Sequence, residues 1–190
     1  MQEWSAKLRE VNVLSTFLPL LIGKRMRYPD EASKSLRVVK LCEIFAMRAY
    51  RVVGRRSDAG EKELIPLGYR VCAGEASWDE VPAAIADATN AYAPLQSLRA
   101  AFDSDQNWYD WGGLKYLLYQ YEEYLAASRG APPRVGWEEI RDRDRQDTIE
   151  HILPQTPTDV YWEQRFSADE HRRCVHDLAL RARSREPDAD

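Results

Sequence analysis

The sequence predicts a mainly α-helical protein, in which a bundle-like helical unit is followed by a smaller segment of different character. Apolar residues recur at helical spacing through most of the first 130 residues. A glycine and paired prolines interrupt the pattern at residues 130–133. A short, extended apolar stretch appears only after them, near residue 150. We therefore expect a helical domain over residues 1–130 and a separate segment over residues 137–190.

We expect four to six helices in the helical domain, and three of them can be placed in the sequence. The first spans residues 33–53 and the third spans residues 111–127, each with an apolar stripe at helical spacing. The second begins at Ser77, because Ser77 and Glu80 have the spacing of a capping box. Pro82 follows in the first turn, where proline is tolerated.

The third helix belongs to an aromatic run that has two interpretations. Its members are Trp108, Tyr109, Trp111, Tyr116, Tyr119, Tyr121 and Tyr124. Such a run can form a platform on which nucleic-acid bases stack. We favour a buried helix face instead, because the same spacing is what helix packing requires.

Composition limits the class of protein. Hydrophobic residues make up 44% and charged residues 31%, which is typical of a soluble globular chain rather than a disordered one. The net charge of -4 gives no overall basic field of the kind that marks many nucleic-acid-binding proteins. The three cysteines are widely spaced and predict neither a zinc site nor a disulfide framework. Together with the lack of a signal-peptide pattern or a membrane-spanning apolar stretch, they favour a cytoplasmic location without membrane insertion.

Local clusters of arginine are candidate DNA contacts despite the negative net charge. The candidates are Arg48, Arg51, Arg55 and Arg56, joined by Arg141 and Arg143 from a run of alternating charges. Local basic patches can follow phosphates even on an acidic protein. The alternative is that these residues belong to solvated helix faces, which is the more common origin of charge clusters.

The most informative segment is residues 148–155, in which Glu150 and His151 stand side by side at the end of the extended stretch, before Pro154. Neighbouring strand residues point to opposite faces, but at a strand end the two side chains can converge on one phosphate. A carboxylate that holds a cation and a neutral histidine that activates water are what a one-metal nuclease needs. Oxygen ligands favour magnesium or manganese, and Asp147 is a possible further ligand. The alternative is an ordinary hydrogen-bonded Glu–His pair.

From Asp147 to Leu178 the chain resembles the His-Xaa-Xaa-Pro nuclease domain of GmrSD-type restriction endonucleases, an HNH-like ββα-metal family. The resemblance rests on Ile149–Gln155, on Trp162 and Phe166, and on Ser167–Glu170, with looser matches at residues 45–52 and 115–119. It implies a phage-defence nuclease that cuts modified DNA. By the same resemblance His151 is the general base and Glu150 a metal ligand. The family also implies a nucleotide-hydrolysing domain or partner chain, whose motifs do not occur in this sequence.

The sequence departs from the family after the predicted C-terminal helix that begins at Ser167. Where the family continues into a Leu-Gly-Asn-Leu strand, this chain has residues 176–181, and we expect the second strand to be missing. The ββα-metal segment is thus predicted to be incomplete, with Cys174, Val175 and Leu178 on one helix face. His176 is a candidate substitute ligand; the alternative is a histidine on the helix surface.

Two functions follow. The first is a metal-dependent DNA endonuclease module of a restriction-type defence protein, with His151 as its general base. The second is a non-catalytic helical module for DNA binding or oligomerisation, in which the nuclease motif is vestigial.

Overall fold

The structure is a computed structural model that describes residues 7–8, 14–30, 32–104, 108, 111–133, 136–137, 140, 149–151, 156, 160–170 and 178–180. The chain divides into two compact units, Met1–Ser104 and Asp105–Asp190. The N-terminal unit contains α1 (Leu18–Arg27), α2 (Ala32–Ala46), α3 (Glu61–Ala73), α4 (Val81–Tyr92) and α5 (Leu95–Phe102). The C-terminal unit contains α6 (Leu114–Ser128), β1 (Ile149–His151), α7 (Val160–Arg165) and β2 (Leu178–Leu180). The described residues are mainly helical, as predicted.

The predicted helix over residues 33–53 is confirmed, but its last part has π-helical geometry. After α2 the backbone continues without a break through a π segment, Met47–Val52. Phe45, fully buried, ends the regular part and packs edge-on against Phe17, Tyr50 and Tyr92, with ring centroids 5.4–6.2 Å apart. Edge-to-face contacts of this kind suit the charge distribution of aromatic rings. The π segment therefore begins in the chain next to the aromatic centre of the N-terminal core.

Two glycines allow α1 and α3 to approach closely. A Cβ at Gly68 would lie 2.7 Å from Pro19, and one at Gly23 would lie 3.0 Å from the Cys72 sulfur. Because real Cβ atoms do not approach backbone atoms so closely, larger residues here would push the two helices apart. Neither α1 nor α3 was predicted as a helix, and α3 carries Pro66 in its interior, a residue that normally argues against one.

The predicted start of α4 is confirmed by its capping box. The backbone N–H of Ser77 donates to Glu80 Oε1 at 2.8 Å, and the N–H of Asp79 donates to Ser77 Oγ at 3.2 Å. A short 3₁₀ turn, Trp78–Glu80, precedes the α-helix, and the Trp78 side chain is buried. Val81, Ile85 and Ala88 of α4 are likewise buried, and the helix packs against α2. Local hydrogen bonds and the apolar stripe therefore give the same helix.

In the C-terminal unit, the predicted helix over residues 111–127 is confirmed as α6. Its aromatic run divides into two parts. Tyr116 and Tyr119 are buried, with ring centroids 5.1 and 5.5 Å from Trp137. Tyr121 and Tyr124 are 59% and 68% exposed and stack on each other at 6.4 Å. Tyr116 and Tyr119 thus lie on a buried helix face, as predicted, whereas Tyr121 and Tyr124 do not.

The boundary between the units differs from the expected position near residue 130. The glycine and prolines do end α6, but Trp137 beyond them packs back onto this helix. Helix α6 therefore belongs to the same unit as the downstream segment, and the division falls at Ser104. A helix-breaking sequence ends a helix without necessarily ending a domain, because the packing partners of that helix can follow later in the chain.

Candidate functional site

The Glu150–His151 pair lies within strand β1, which pairs with β2. The strands are antiparallel, and their register sets Ile149 opposite Leu180, Glu150 opposite Ala179, and His151 opposite Leu178. The expectation that no second strand follows the motif was therefore wrong. Leu178 also lies in this strand rather than on a helix face shared with Cys174 and Val175. The physical reason is that β1 leaves a row of backbone hydrogen-bonding groups that require a partner strand.

The four candidate catalytic and metal-binding residues are placed to different extents. The backbones of Glu150 and His151 are described in β1, while their side chains lie outside the described residues. Asp147 and His176 lie wholly outside the described residues.

Helix α6 supports this pair of strands from within the same unit. It contacts β2, and it also holds Trp137 against its buried tyrosines. Ile140, located between Trp137 and β1 in the chain, is also buried. The motif is therefore attached to an apolar core by the paired strand, as expected for a site that needs fixed geometry.

Helix α7 lies between the two strands in the sequence. Its Tyr161, Trp162 and Phe166 form a chain of ring contacts, at 5.1 and 6.1 Å between centroids. The turn that follows is closed by a second capping box: the Ser167 N–H donates to Glu170 Oε2 at 2.8 Å, and the Glu170 N–H donates to Ser167 Oγ at 3.3 Å. The helix start predicted at Ser167 is thus confirmed over residues 168–170. Helix α7 itself was not among the helices predicted from the sequence.

Two of the arginines predicted to contact DNA bind the end of α4. The Arg48 guanidinium donates to the carbonyl oxygen of Ala93, and Arg55 Nε donates to the carbonyl oxygen of Tyr92 at 2.8 Å. The last carbonyls of a helix have no partner within the helix, and they attract positive charge. Burial lowers the pKa of Arg48. These two side chains thus have a structural function that the sequence did not reveal.

All six predicted DNA contacts stay predictions. Arg51 and Arg56 are exposed, and Arg56 forms an ion pair with Asp58 at 3.0 Å. Arg141 and Arg143 lie outside the described residues. An exposed ion pair of this kind contributes little to stability, so it does not prevent Arg56 from binding a ligand.

Among the described side chains, no group of three or more histidine, cysteine, aspartate or glutamate residues is arranged to hold a metal ion. The side chains of Glu150 and His151 are not among them. In the same part of the chain, no helix has the length and apolar character needed to cross a membrane.

Comparison with known proteins gives one match. Residues 93–179 match the family model of the C-terminal domain of GmrSD restriction endonucleases. The matched region begins just before α5 and includes α6, β1 and α7, and it ends inside β2. No curated protein and no solved structure gave a significant match. This part of the chain is therefore similar to a restriction-endonuclease domain, in agreement with the resemblance found at the motif.

Strand β2 and the two α4-capping arginines are the main features that sequence reasoning missed. Leu178 and Leu180 alternate with Ala179, a period of two that was too short to separate from a helix end. For Arg48 and Arg55 the sequence contains no signal, because their acceptors are backbone carbonyls more than thirty residues away.

Proposed function

We propose that the C-terminal unit is a metal-dependent DNA endonuclease module of a restriction-type phage-defence protein. The observation that carries this proposal is the position of the Glu150–His151 pair: it lies in a paired strand inside the region that matches the GmrSD C-terminal domain. The substrate would be DNA, modified DNA included. A nucleotide-hydrolysing domain or partner chain would control cutting, by analogy with the family.

In this proposal His151 is the general base. A neutral imidazole, with an unperturbed pKa of about 6.5, can accept a proton from the attacking water near neutral pH. Placing the base within a strand, rather than on a loop, limits its motion relative to the bound phosphodiester.

Glu150 would be the first metal ligand, and the donor chemistry of the segment suits a hard divalent cation such as magnesium or manganese. His176 and Asp147 are the candidates for a second ligand. When bound, the cation would supply positive charge to the phosphate and to the leaving oxygen.

A plasmid-nicking assay with magnesium or manganese tests the proposal. We expect the unsubstituted protein to nick supercoiled DNA and the His151→Ala variant to be slower by about 100-fold or more, the usual contribution of a general base. The matched control is His171→Ala, which removes another histidine of the same segment and should leave nicking unchanged.

The outcomes separate the two functions. Loss of nicking in His151→Ala but not in His171→Ala supports the endonuclease. If neither the unsubstituted protein nor any variant nicks DNA in the presence of either metal, the alternative of a non-catalytic module with a vestigial motif is correct for this chain. Comparison of His176→Ala with Asp147→Ala at limiting metal concentration then identifies the second ligand, since its loss raises the metal concentration that half-maximal activity requires.

A further inference from the structure

Helix α7 presents an arginine that is held in place by a tyrosine. The Arg165 guanidinium carbon lies 4.0 Å from the centre of the Tyr161 ring, and Arg165 Nη1 donates to the Tyr161 hydroxyl oxygen. Both residues are exposed, with Tyr161 at 46%. The two positions are four apart, so they lie on the same face of the helix. One side chain therefore fixes both the position and the plane of the other.

This arrangement prepares the guanidinium for an anion. Arginine has five N–H donors in a planar fork that matches the oxygens of a phosphate. The bond to Tyr161 uses one of them. A free arginine side chain loses rotamer entropy when it binds a ligand, and an arginine already stacked on a ring loses less.

The tyrosine is itself anchored. Its ring contacts Trp162 edge-on at 5.1 Å, and Trp162 in turn contacts Phe166. Trp162 and Phe166 are only partly exposed, so this aromatic chain fastens the outer pair to the helix. The tyrosine ring that the guanidinium covers is thus itself in contact with other rings of the helix.

We propose that Tyr161 and Arg165 form a phosphate clamp that binds the DNA backbone. The inference rests on the proposed endonuclease function, and it assigns α7, which connects the two strands of the site in the chain, to substrate binding. Arg165 is the contact to the phosphate, and Tyr161 is a positioning residue that orients it.

DNA binding by the full chain tests this inference, with a fluorescein-labelled duplex, anisotropy as the readout and a His151→Ala background to prevent cutting. Arg165→Ala should weaken binding on the order of tenfold, the usual effect of losing one charge-assisted hydrogen bond. The slope of log affinity against log salt should fall by about 0.9. Arg165→Lys should give an intermediate loss, because it keeps the charge without the fork. Arg129→Ala, which removes an exposed arginine beyond the end of α6, should change neither quantity.

The Tyr161→Ala variant distinguishes an arginine that is oriented by Tyr161 from one that contributes only its charge. It leaves the net charge unchanged, so the salt slope should be retained, while the affinity should fall severalfold because the guanidinium loses its support. Circular dichroism of each variant controls for unfolding, and if Arg165→Ala is unfolded, Arg165→Lys and Tyr161→Ala carry the test.

Binding by folded Arg165→Ala that equals the parent at every salt concentration would overturn the clamp. If the parent with His151 intact nicks plasmid and Arg165→Ala nicks it equally well, the clamp fails and the endonuclease stands. If the parent neither binds nor nicks DNA, both fail.

Discussion

Replacement of Arg48 by methionine should destabilise the N-terminal unit. The substitution keeps the apolar length of the side chain and removes the guanidinium that donates to the carbonyl oxygen of Ala93. Ala93 is fully buried, so water cannot readily replace the lost donor. Arg56→Met is the matched control, because the Arg56 side chain is 88% exposed and pairs only with Asp58 among the described residues.

The expected magnitude follows from these contacts. A hydrogen bond from a charged donor contributes about 1.5–3 kcal/mol, and an unsatisfied buried acceptor costs a similar amount. We therefore expect Arg48→Met to lower the free energy of unfolding by about 1.5–3 kcal/mol. For a unit of this size such a loss lowers Tm by about 6–15 °C. An exposed ion pair contributes about 0–1 kcal/mol, so Arg56→Met should change Tm by only a few degrees.

Urea and thermal unfolding, followed by circular dichroism, measure both variants. The reasoning is refuted if Arg48→Met is as stable as Arg56→Met. If Arg48→Met is also the variant with weaker DNA binding while its stability is unchanged, then Arg48 is the DNA contact that the sequence suggested, and its bond to the helix end is incidental.

Three further predictions concern the two cores. Gly60→Ala should lower the free energy of unfolding by about 2–4 kcal/mol, because φ is +87° and a Cβ would lie 2.7 Å from the buried Phe45 ring. Gly54→Ala is the control: φ is +71°, but a Cβ would meet no described atom within 4 Å, so the loss should be only about 1 kcal/mol. Equal losses of stability in urea unfolding would exclude the steric explanation. Burial raises the pKa of Tyr50, whose protonated hydroxyl donates to a backbone carbonyl at 2.7 Å. The stability that this hydroxyl contributes is therefore present below about pH 10 and is lost at higher pH. Above that pH, Tm should fall more steeply for the unsubstituted protein than for Tyr50→Phe, and parallel curves would contradict this. Trp137→Ala should lower the free energy of unfolding by about 3–5 kcal/mol, because it removes the ring that packs on two buried tyrosines of α6. Amide hydrogen exchange should then become faster in α6, while α4 stays protected. Unchanged exchange in α6 would show that Trp137 does not stabilise this helix.

Features that depend on neighbouring residues were predictable from the sequence. Ser77 and Glu80 specify the start of α4, and Ser167 and Glu170 specify a helix start after α7, because a capping box closes within four residues. The apolar stripes of α2 and α6 have the helical period whatever lies opposite them. The resemblance at Glu150 and His151 is likewise a property of a few consecutive residues, and the match over residues 93–179 agrees with it.

Features that depend on distant residues were not predictable. Strand β2 exists because Leu178–Leu180 forms hydrogen bonds with the backbone of Ile149–His151. Three residues are too few to show a pattern from which that pairing could be predicted. The division at Ser104, rather than at the prolines, depends on the contact of Trp137 with α6. Local signals mark where an element ends, and they do not show what packs against it.

The sequence by itself therefore determined the helical class of the protein, the two capping boxes and the resemblance to the C-terminal domain of GmrSD restriction endonucleases, since each depends on residues that are close together in the chain. Tertiary structure alone decided that the motif has a partner strand, that Arg48 and Arg55 bind a helix end, and that Tyr161 supports Arg165 on an exposed face. Backbone pairing and side-chain contacts are satisfied in space, and their partners have no fixed spacing in the sequence.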